Sequence, residues 1–324
     1  MINKNDTILF IGLGGAGQRH LRILRNLLPE NKFIALRKRN LSPLLNPNFT
    51  VDTLNTIEEK YNIESIYEEN ELKNQHPKIT IISTPTIFHT KYCLLAKELG
   101  SNVFVEKPGF STKSDLILLE KNFKNHNLSL KIGFQRAYHP MIRKVFEEIK
   151  KDNISNYNCH LKLSSFVPDW HPYEDFRNLY ACREDLGGGV ILTECHELDI
   201  INGIFGLPLK VEKNLFKEKK YRLKIYDSAE LRVKYPDCSM FADISFLRKP
   251  NERTILIENK NENIKYLLDL NNNKLCINKN KNEFKFSYNF DSDYLFELQA
   301  KDIISLKNNN YNELKRLRSL SEFL

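Results

Sequence analysis

Thr7-Ile8-Leu9-Phe10-Ile11-Gly12-Leu13-Gly14-Gly15-Ala16-Gly17 opens the chain with a short apolar run that flows into glycines spaced G-x-G-x-x-G. An apolar run that ends in glycine predicts a buried parallel strand. Gly17, Leu21, Leu24 and Leu28 then recur at helical spacing until Pro29 stops the helix. A strand running through such glycines into a helix is the setting in which this pattern binds a dinucleotide. Gly12 allows the tight turn, Gly14 lets a pyrophosphate approach the backbone, and Gly17 lets helix and sheet pack closely. The helix N-terminus, with Gly15 and Ala16, supplies free amides and partial positive charge for the phosphates.

The next strand, residues 33–36, ends at Arg37-Lys38-Arg39. An acidic residue about twenty positions past the glycines would hold the ribose 2′-hydroxyl of NAD. A carboxylate repels a 2′-phosphate, whereas arginine binds it and stacks on adenine. The three cations therefore point to NADP over NAD, with solvated loop cations as the rival reading. Residues 57–70 suggest a helix, 79–82 a buried strand, and 90–99 a helix stopped by Gly100. Residues 103–105 form a strand that runs into Glu106-Lys107-Pro108. A helix over 113–125 and a strand over 128–134 complete an alternation that predicts a doubly wound parallel sheet.

After residue 140 the period changes to two. Leu161, Leu163, Ser165 and Val167 alternate with polar neighbours, as do Ala229, Leu231, Val233 and Tyr235, and Phe284, Phe286, Tyr288 and Phe290. This predicts an open, mainly antiparallel sheet with one face buried. Its helices are expected over 140–151, 191–204 and 294–307. The asparagine- and lysine-rich stretches at 259–282 and 307–310 read as turns or loose loops.

The 324 residues are enough for two domains. The formal charge of +8 is spread among acids and asparagines and forms no nucleic-acid motif, so no nucleic-acid partner is expected. The densest cluster, residues 213–224, reads as a solvated surface that could also steer an anionic substrate. No apolar run is long enough to span a bilayer, and no membrane association is expected. The first strand begins just after Met1, which predicts a cytoplasmic protein. Six cysteines lack paired or zinc-like spacing and read as reduced thiols, with no metal site.

Three further groups of residues complete the pattern. The first is Ser83-Thr84-Pro85 with His89, followed by Glu106-Lys107-Pro108. The second is Gly133-Phe134-Gln135-Arg136 with His139-Pro140. The third is Gly187-Gly188-Gly189 followed by Glu194-Cys195-His196-Glu197-Leu198-Asp199. In this order they resemble the Gfo/Idh/MocA family (glucose–fructose oxidoreductase, inositol dehydrogenase and relatives) over nearly the whole chain. The resemblance implies a Rossmann domain over 1–138 and a substrate-binding and oligomerisation α/β domain over 139–324, assembled as a dimer or tetramer. It implies cofactor contacts from Ser83, Thr84, Pro85, His89, Glu106, Lys107 and Gln135. It places Gln135, Arg136 and Tyr138 near the substrate, makes Lys107 a contact to substrate and cofactor, and gives His196 the proton. The chemistry agrees: Lys107 ends a parallel strand, where such sheets bind ligands, and its ammonium can stabilise negative charge on a reacting oxygen. His196 titrates in the range needed to exchange a proton. A surface lysine and a buried, satisfied histidine are the plainer readings of the same two residues.

The chain departs from the family at one place. Many members carry an aspartate three or four positions before the histidine, where Thr193 and Leu192 stand here. On a regular helix Glu194 would point roughly 160° away from His196 and cannot stand in for that aspartate. Before the triple glycine, Trp170, His171, Pro172 and Tyr173, then Tyr180 and Arg183, form an aromatic and polar stretch. Aromatic faces stack on sugar rings and Arg183 could hold a carboxylate or phosphate; packing under a loop explains the aromatics equally well. The stretch also resembles members associated with bacterial surface-sugar pathways, which implies a nucleotide sugar or acidic sugar as substrate. The reading is an NAD(P)-dependent sugar dehydrogenase or reductase with Lys107 and His196 as its catalytic pair. Its rival is a regulator or scaffold that kept the nucleotide site and lost catalysis.

Overall fold

The computed structural model describes residues 2–38, 43–152, 154–171 and 173–324. The chain divides into two compact units. One is the chain up to Gln135 together with Asp293–Leu317; the other is Arg136–Ser292 with Arg318–Leu324. The first boundary falls after Gln135, and Asp293–Leu317 belongs to the first unit.

The first unit is built as the opening residues predict. β1 (Thr7–Ile11) leads into α1 (Gly15–Leu27), then β2 (Lys32–Leu36), the short pair β3 (Leu44–Leu45) and β4 (Val51–Asp52), α2 (Ile57–Tyr61) and β5 (Ile63–Ile66). β6 (Ile79–Ile82), α3 (His89–Glu98), β7 (Asn102–Glu106), α4 (Lys113–Phe123) and β8 (Leu130–Gly133) follow. Six of these strands form one sheet, in the order β5-β2-β1-β6-β7-β8, and every pair is parallel. The order reverses at β1, and the ends of β1 and β6 border the crevice where such sheets take ligands. Ile8, Phe10, Leu21, Leu24, Phe33 and Phe104 are buried together in its core, each contributing roughly 1.5–3 kcal/mol.

One expected element is different. Residues 57–70 are not one continuous helix. α2 stops at Asn62, whose φ of 46° closes it in the left-handed region, and Ile63–Ile66 pairs with β2 as an edge strand. Asparagine tolerates that conformation better than other side chains with a Cβ.

The second unit begins with α5 (Pro140–Asp152) and β9 (Tyr157–Phe166) and passes through four short 3₁₀ turns to α6 (Val190–Thr193) and α7 (His196–Phe205). The rest is strand: β10 (Lys210–Phe216), β11 (Ser228–Lys234), β12 (Cys238–Ser245), β13 (Leu247–Asn259), β14 (Ile264–Asp269), β15 (Lys274–Lys279) and β16 (Asn282–Ser287). They form an eight-stranded sheet in the order β10-β11-β12-β9-β13-β14-β15-β16, antiparallel except between β12 and β9. The charged edge strand β10 is largely exposed, as expected for the lysine-rich cluster.

Three expectations change here. Residues 259–282 are not loose loops, because they contain β14 and β15. Ile264, Tyr266 and Leu268 face Leu275 and Ile277 in buried alternation, and the asparagines supply left-handed turn positions at Asn263, Asn273 and Asn280. The alternation over 284–290 ends as strand at Ser287, and Tyr288 and Phe290 instead meet the His139 ring edge-on, at 5.5 and 5.0 Å. The helix expected over 191–204 is broken between Thr193 and His196.

The chain then returns to the first unit with α8 (Tyr294–Ile304), which stops before the expected residue 307, and most of α9 (Asn310–Ser321). Asp293 accepts a 2.6 Å hydrogen bond from Arg22, and Phe296 packs edge-on against His20 on α1. Asn310 caps the Phe123, Leu128 and Leu130 backbone, and Lys131 pairs with Asp302 at 2.7 Å.

Candidate active site

Close approach governs the turn after β1. Gly12 has a φ of +92°, and a Cβ there would lie 2.7 Å from the Ser83 carbonyl oxygen. A Cβ on Gly17 would come within 2.3 Å of the Gly12 oxygen, so α1 lies directly on the strand end. Gly14 behaves oppositely: a Cβ there would meet nothing within 4 Å among the described residues. It opens α1 onto free space. Gly15 borders Phe49, and Ala16 lies in the first turn of the helix. Beside this turn, the Ser83 amide donates to the Ile11 oxygen at 2.9 Å. The Ser83 and Thr84 hydroxyl oxygens are buried with no hydrogen-bond partner among the described residues. Open space over the helix N-terminus and two orphaned hydroxyls at the neighbouring strand end fit a bound dinucleotide.

Pro85 leads the short turn Thr86–Phe88, and His89 opens α3. The His89 Nε2 donates to the Thr84 oxygen at 2.9 Å, which pins the Ser83-Thr84-Pro85 loop from beneath. Burial pulls this imidazole down to about 4; the Thr84 carbonyl and Glu106 oppose that, and Lys107 pushes the same way as burial. His89 is thus a neutral anchor near pH 7. Since its folded pKa lies below the unfolded value of about 6.5, its contribution is complete above pH 6.5 and is lost as pH falls toward 4. The loss should approach 1.4 kcal/mol per pH unit and total about 3 kcal/mol. Urea unfolding from about pH 7 to pH 4.5 should show this slope, and His89→Gln should flatten it. An equal slope in that variant would refute the assignment.

At the end of β7, Glu106 accepts from His20 Nε2 at 2.7 Å and from the Lys107 amide at 3.1 Å. Burial alone would raise the Glu106 pKa, but the His20 hydrogen bond and the charges of His20 and Lys107 outweigh it and hold the carboxyl below its ordinary range. A Cβ on Gly133 would lie 2.9 Å from Glu106, so glycine is needed opposite it. Glu106 thereby ties α1 to β7 and fixes the backbone from which Lys107 projects.

In the second unit, Gly187 and Gly189 take positive φ of 77° and 118°, and a Cβ on Gly188 would lie 2.3 Å from the Tyr180 oxygen. This turn delivers α6, which ends at Thr193. Glu194, at φ −102° and ψ 40°, breaks the helix, and α7 restarts at His196. The regular-helix geometry assumed for Glu194 therefore does not apply. Its carboxylate instead accepts from Ser165 Oγ at 2.8 Å and Arg253 Nη2 at 2.7 Å. Arg253 Nη1 reaches Glu197 at 3.0 Å, and Arg136 Nε lies 3.6 Å from the same oxygen. Burial works against charge on Arg253, yet Glu197 and Glu194 together raise its pKa; burial lowers that of Arg136. Thr193, Cys195, His196 and Asp199 are all buried.

Residues 7–134 match the model of an oxidoreductase family with an NAD-binding Rossmann fold. The first unit thus carries the NAD-binding Rossmann domain of that family. Over 196 residues the chain is 25% identical to the 1-carboxy-3-chloro-3,4-dihydroxycyclo hexa-1,5-diene dehydrogenase of Comamonas testosteroni. That match covers 59% of this chain but only 46% of the relative, less than half its length. Levoglucosan dehydrogenase, solved with NADH and levoglucosan, shares the fold at a TM-score of 0.80 and 11% identity, over 98% of this chain and 95% of that one. A 3-ketoreductase from Actinomadura kijaniata, solved with NADP and TDP-benzene, does so at 0.76 and 14%, with the same coverage of 98% and 95%.

Other site residues expected from the sequence are held differently. Arg37 is buried and its Nη1 donates to Glu58, with Ser65 Oγ 3.4 Å away, so it is committed within the unit. Lys38 is exposed, its ammonium 5.9 Å from the Phe88 ring. Arg39 lies outside the described residues. Gln135 closes the first unit and Arg136, expected at the substrate, joins the Glu194–Glu197–Arg253 network. Trp170 packs edge-on against Phe246 at 6.4 Å. Tyr180 is half-buried under the glycine turn, and Arg183 pairs with Asp185 instead of standing ready for an anion. Arg253 was not among the expected residues. The signal was present, since it precedes Ile255 and Ile257 in strict alternation and so stands on the buried face of β13.

Among the described residues no helix is long and apolar enough to cross a membrane.

Proposed function

We propose that the protein transfers hydride between a nicotinamide dinucleotide and a hydroxyl or keto carbon of a sugar or sugar derivative. The observation that carries this reading is the placement of Lys107. It sits at the carboxyl end of β7, in the same parallel sheet whose neighbouring strand ends hold the open Gly14 and the orphaned Ser83 and Thr84 hydroxyls. A bound nicotinamide supplies or accepts the hydride. Lys107 donates a hydrogen bond to the reacting oxygen and stabilises negative charge on it. His196 takes the proton in oxidation and returns it in reduction. The relatives solved with levoglucosan or with TDP-benzene support a sugar or nucleotide-activated sugar as substrate. A place in bacterial surface-sugar synthesis, and assembly as a dimer or tetramer in the cytoplasm, are part of the same proposal.

Within it, NADP is the favoured cofactor, with the contact to its 2′-phosphate assigned to Lys38 and Arg39. Arg37, held by Glu58, serves as a wall beside the adenine. Calorimetric titration should give an NADPH affinity roughly tenfold above that for NADH, and Lys38→Ala should narrow the gap. Preference for NADH would make these cations bystanders. Binding of neither nucleotide would overturn the enzyme reading.

A further inference from the structure

Arg253 occupies a register that the sheet reserves for apolar side chains. It stands two residues before Ile255 and four before Ile257, both fully buried, on the same face of β13. A cation on such a face is unfavourable unless it is paired and hydrogen-bonded. Its pairing is specific. One guanidinium nitrogen reaches Glu194, the residue at which α6 breaks, and the other reaches Glu197, the residue after His196. Ser165, from the adjoining strand β9, holds the second oxygen of Glu194. The planar fork therefore spans both sides of the two-residue break and fixes the backbone that carries the imidazole.

We propose that Arg253 is a positioning residue for His196, acting through Glu194 and Glu197. This rests on the reading of His196 as the proton-exchanging group. A continuous helix would have buried the same apolar face with its backbone bonds intact. The break changes where His196 stands, and a rigid bidentate fork is what defines that place. Lysine keeps the charge but has no planar fork to bond the two carboxylates in parallel. Two acids and two arginines, Arg136 included, leave the network neutral.

The test uses the full protein carrying ¹³C-labelled histidine. The His196 ring signal is identified by its loss in His196→Gln and then followed in Arg253→Lys, with thermal unfolding recorded alongside. The expected result is a displaced His196 signal with a changed titration midpoint, while the other histidine signals stay in place. Turnover of a sugar substrate should fall on the order of a hundredfold, mostly in kcat. An unmoved His196 signal and unchanged kcat, with only a lower Tm, would reduce Arg253 to a structural ion pair and overturn the proposal. Should Arg253→Lys fail to fold, the charge-balanced pair Arg253→Met with Glu194→Gln, which leaves Arg136 facing Glu197, decides it by the same two outcomes. The NMR arm needs no substrate, so an active His196→Gln enzyme would end the catalytic reading of His196 and still leave the clamp to stand or fall on the ring signal.

Discussion

Lys107→Met is expected to lower kcat by about two to three orders of magnitude, the usual effect of removing a donor from a developing oxyanion. Methionine keeps the unbranched stem and removes only the ammonium. Glu106 retains its bond from His20, and its bond from the backbone amide at position 107 needs no lysine side chain. The strand end therefore keeps its shape, and dinucleotide affinity should change little. Initial rates on a panel of sugars and sugar nucleotides, paired with calorimetric titration of the cofactor, separate the two effects. Turnover at the wild-type rate would remove Lys107 from the chemistry. A protein that binds cofactor yet turns over none of these compounds, before or after the substitution, would instead favour the regulator reading.

The second large effect concerns the glycine turn. Gly17→Ala places a methyl 2.3 Å from the Gly12 oxygen, and the obstacle is backbone, so α1 must retreat from β1. A destabilisation of about 1–3 kcal/mol is expected, together with loss of cofactor binding. Gly14→Ala is the informative contrast. Its backbone, at φ −72° and ψ −169°, suits any residue, and the new methyl meets no atom of the described residues within 4 Å. It should leave Tm unchanged and weaken dinucleotide binding at least tenfold, about 1.4 kcal/mol, because only the ligand would feel it. Thermal melts and cofactor titrations of both variants check this. Undiminished binding in Gly14→Ala would mean that the pyrophosphate does not lie over this turn.

Legibility varied from element to element. The β1–α1 unit was readable because its partners are adjacent in the chain and its periodicities are clean. Strand β5 escaped because four residues, half of them polar, follow directly on a capped helical turn; only pairing with β2 makes them a strand. β14 and β15 were hidden by asparagine and lysine, which describe their turns and exposed positions, while the alternating Ile264, Tyr266, Leu268, Leu275 and Ile277 do the packing.

From its sequence alone this chain determined the parallel sheet, the open mainly antiparallel sheet, the glycine turn and the strand-end lysine, since each is encoded in local spacing and backbone need. Tertiary structure alone decided which charges are available. Arg37 and Arg183 read as ligands for an anion, and Arg136 as a residue near the substrate, until Glu58, Asp185 and Glu197 are found beside them. Arg253 looks like an ordinary strand cation until it is seen holding both sides of a helix break. The physical reason is that a charge is defined by its partner. Those of Arg37, Arg136 and Arg253 lie twenty to sixty residues away in the chain, beyond the reach of any local period.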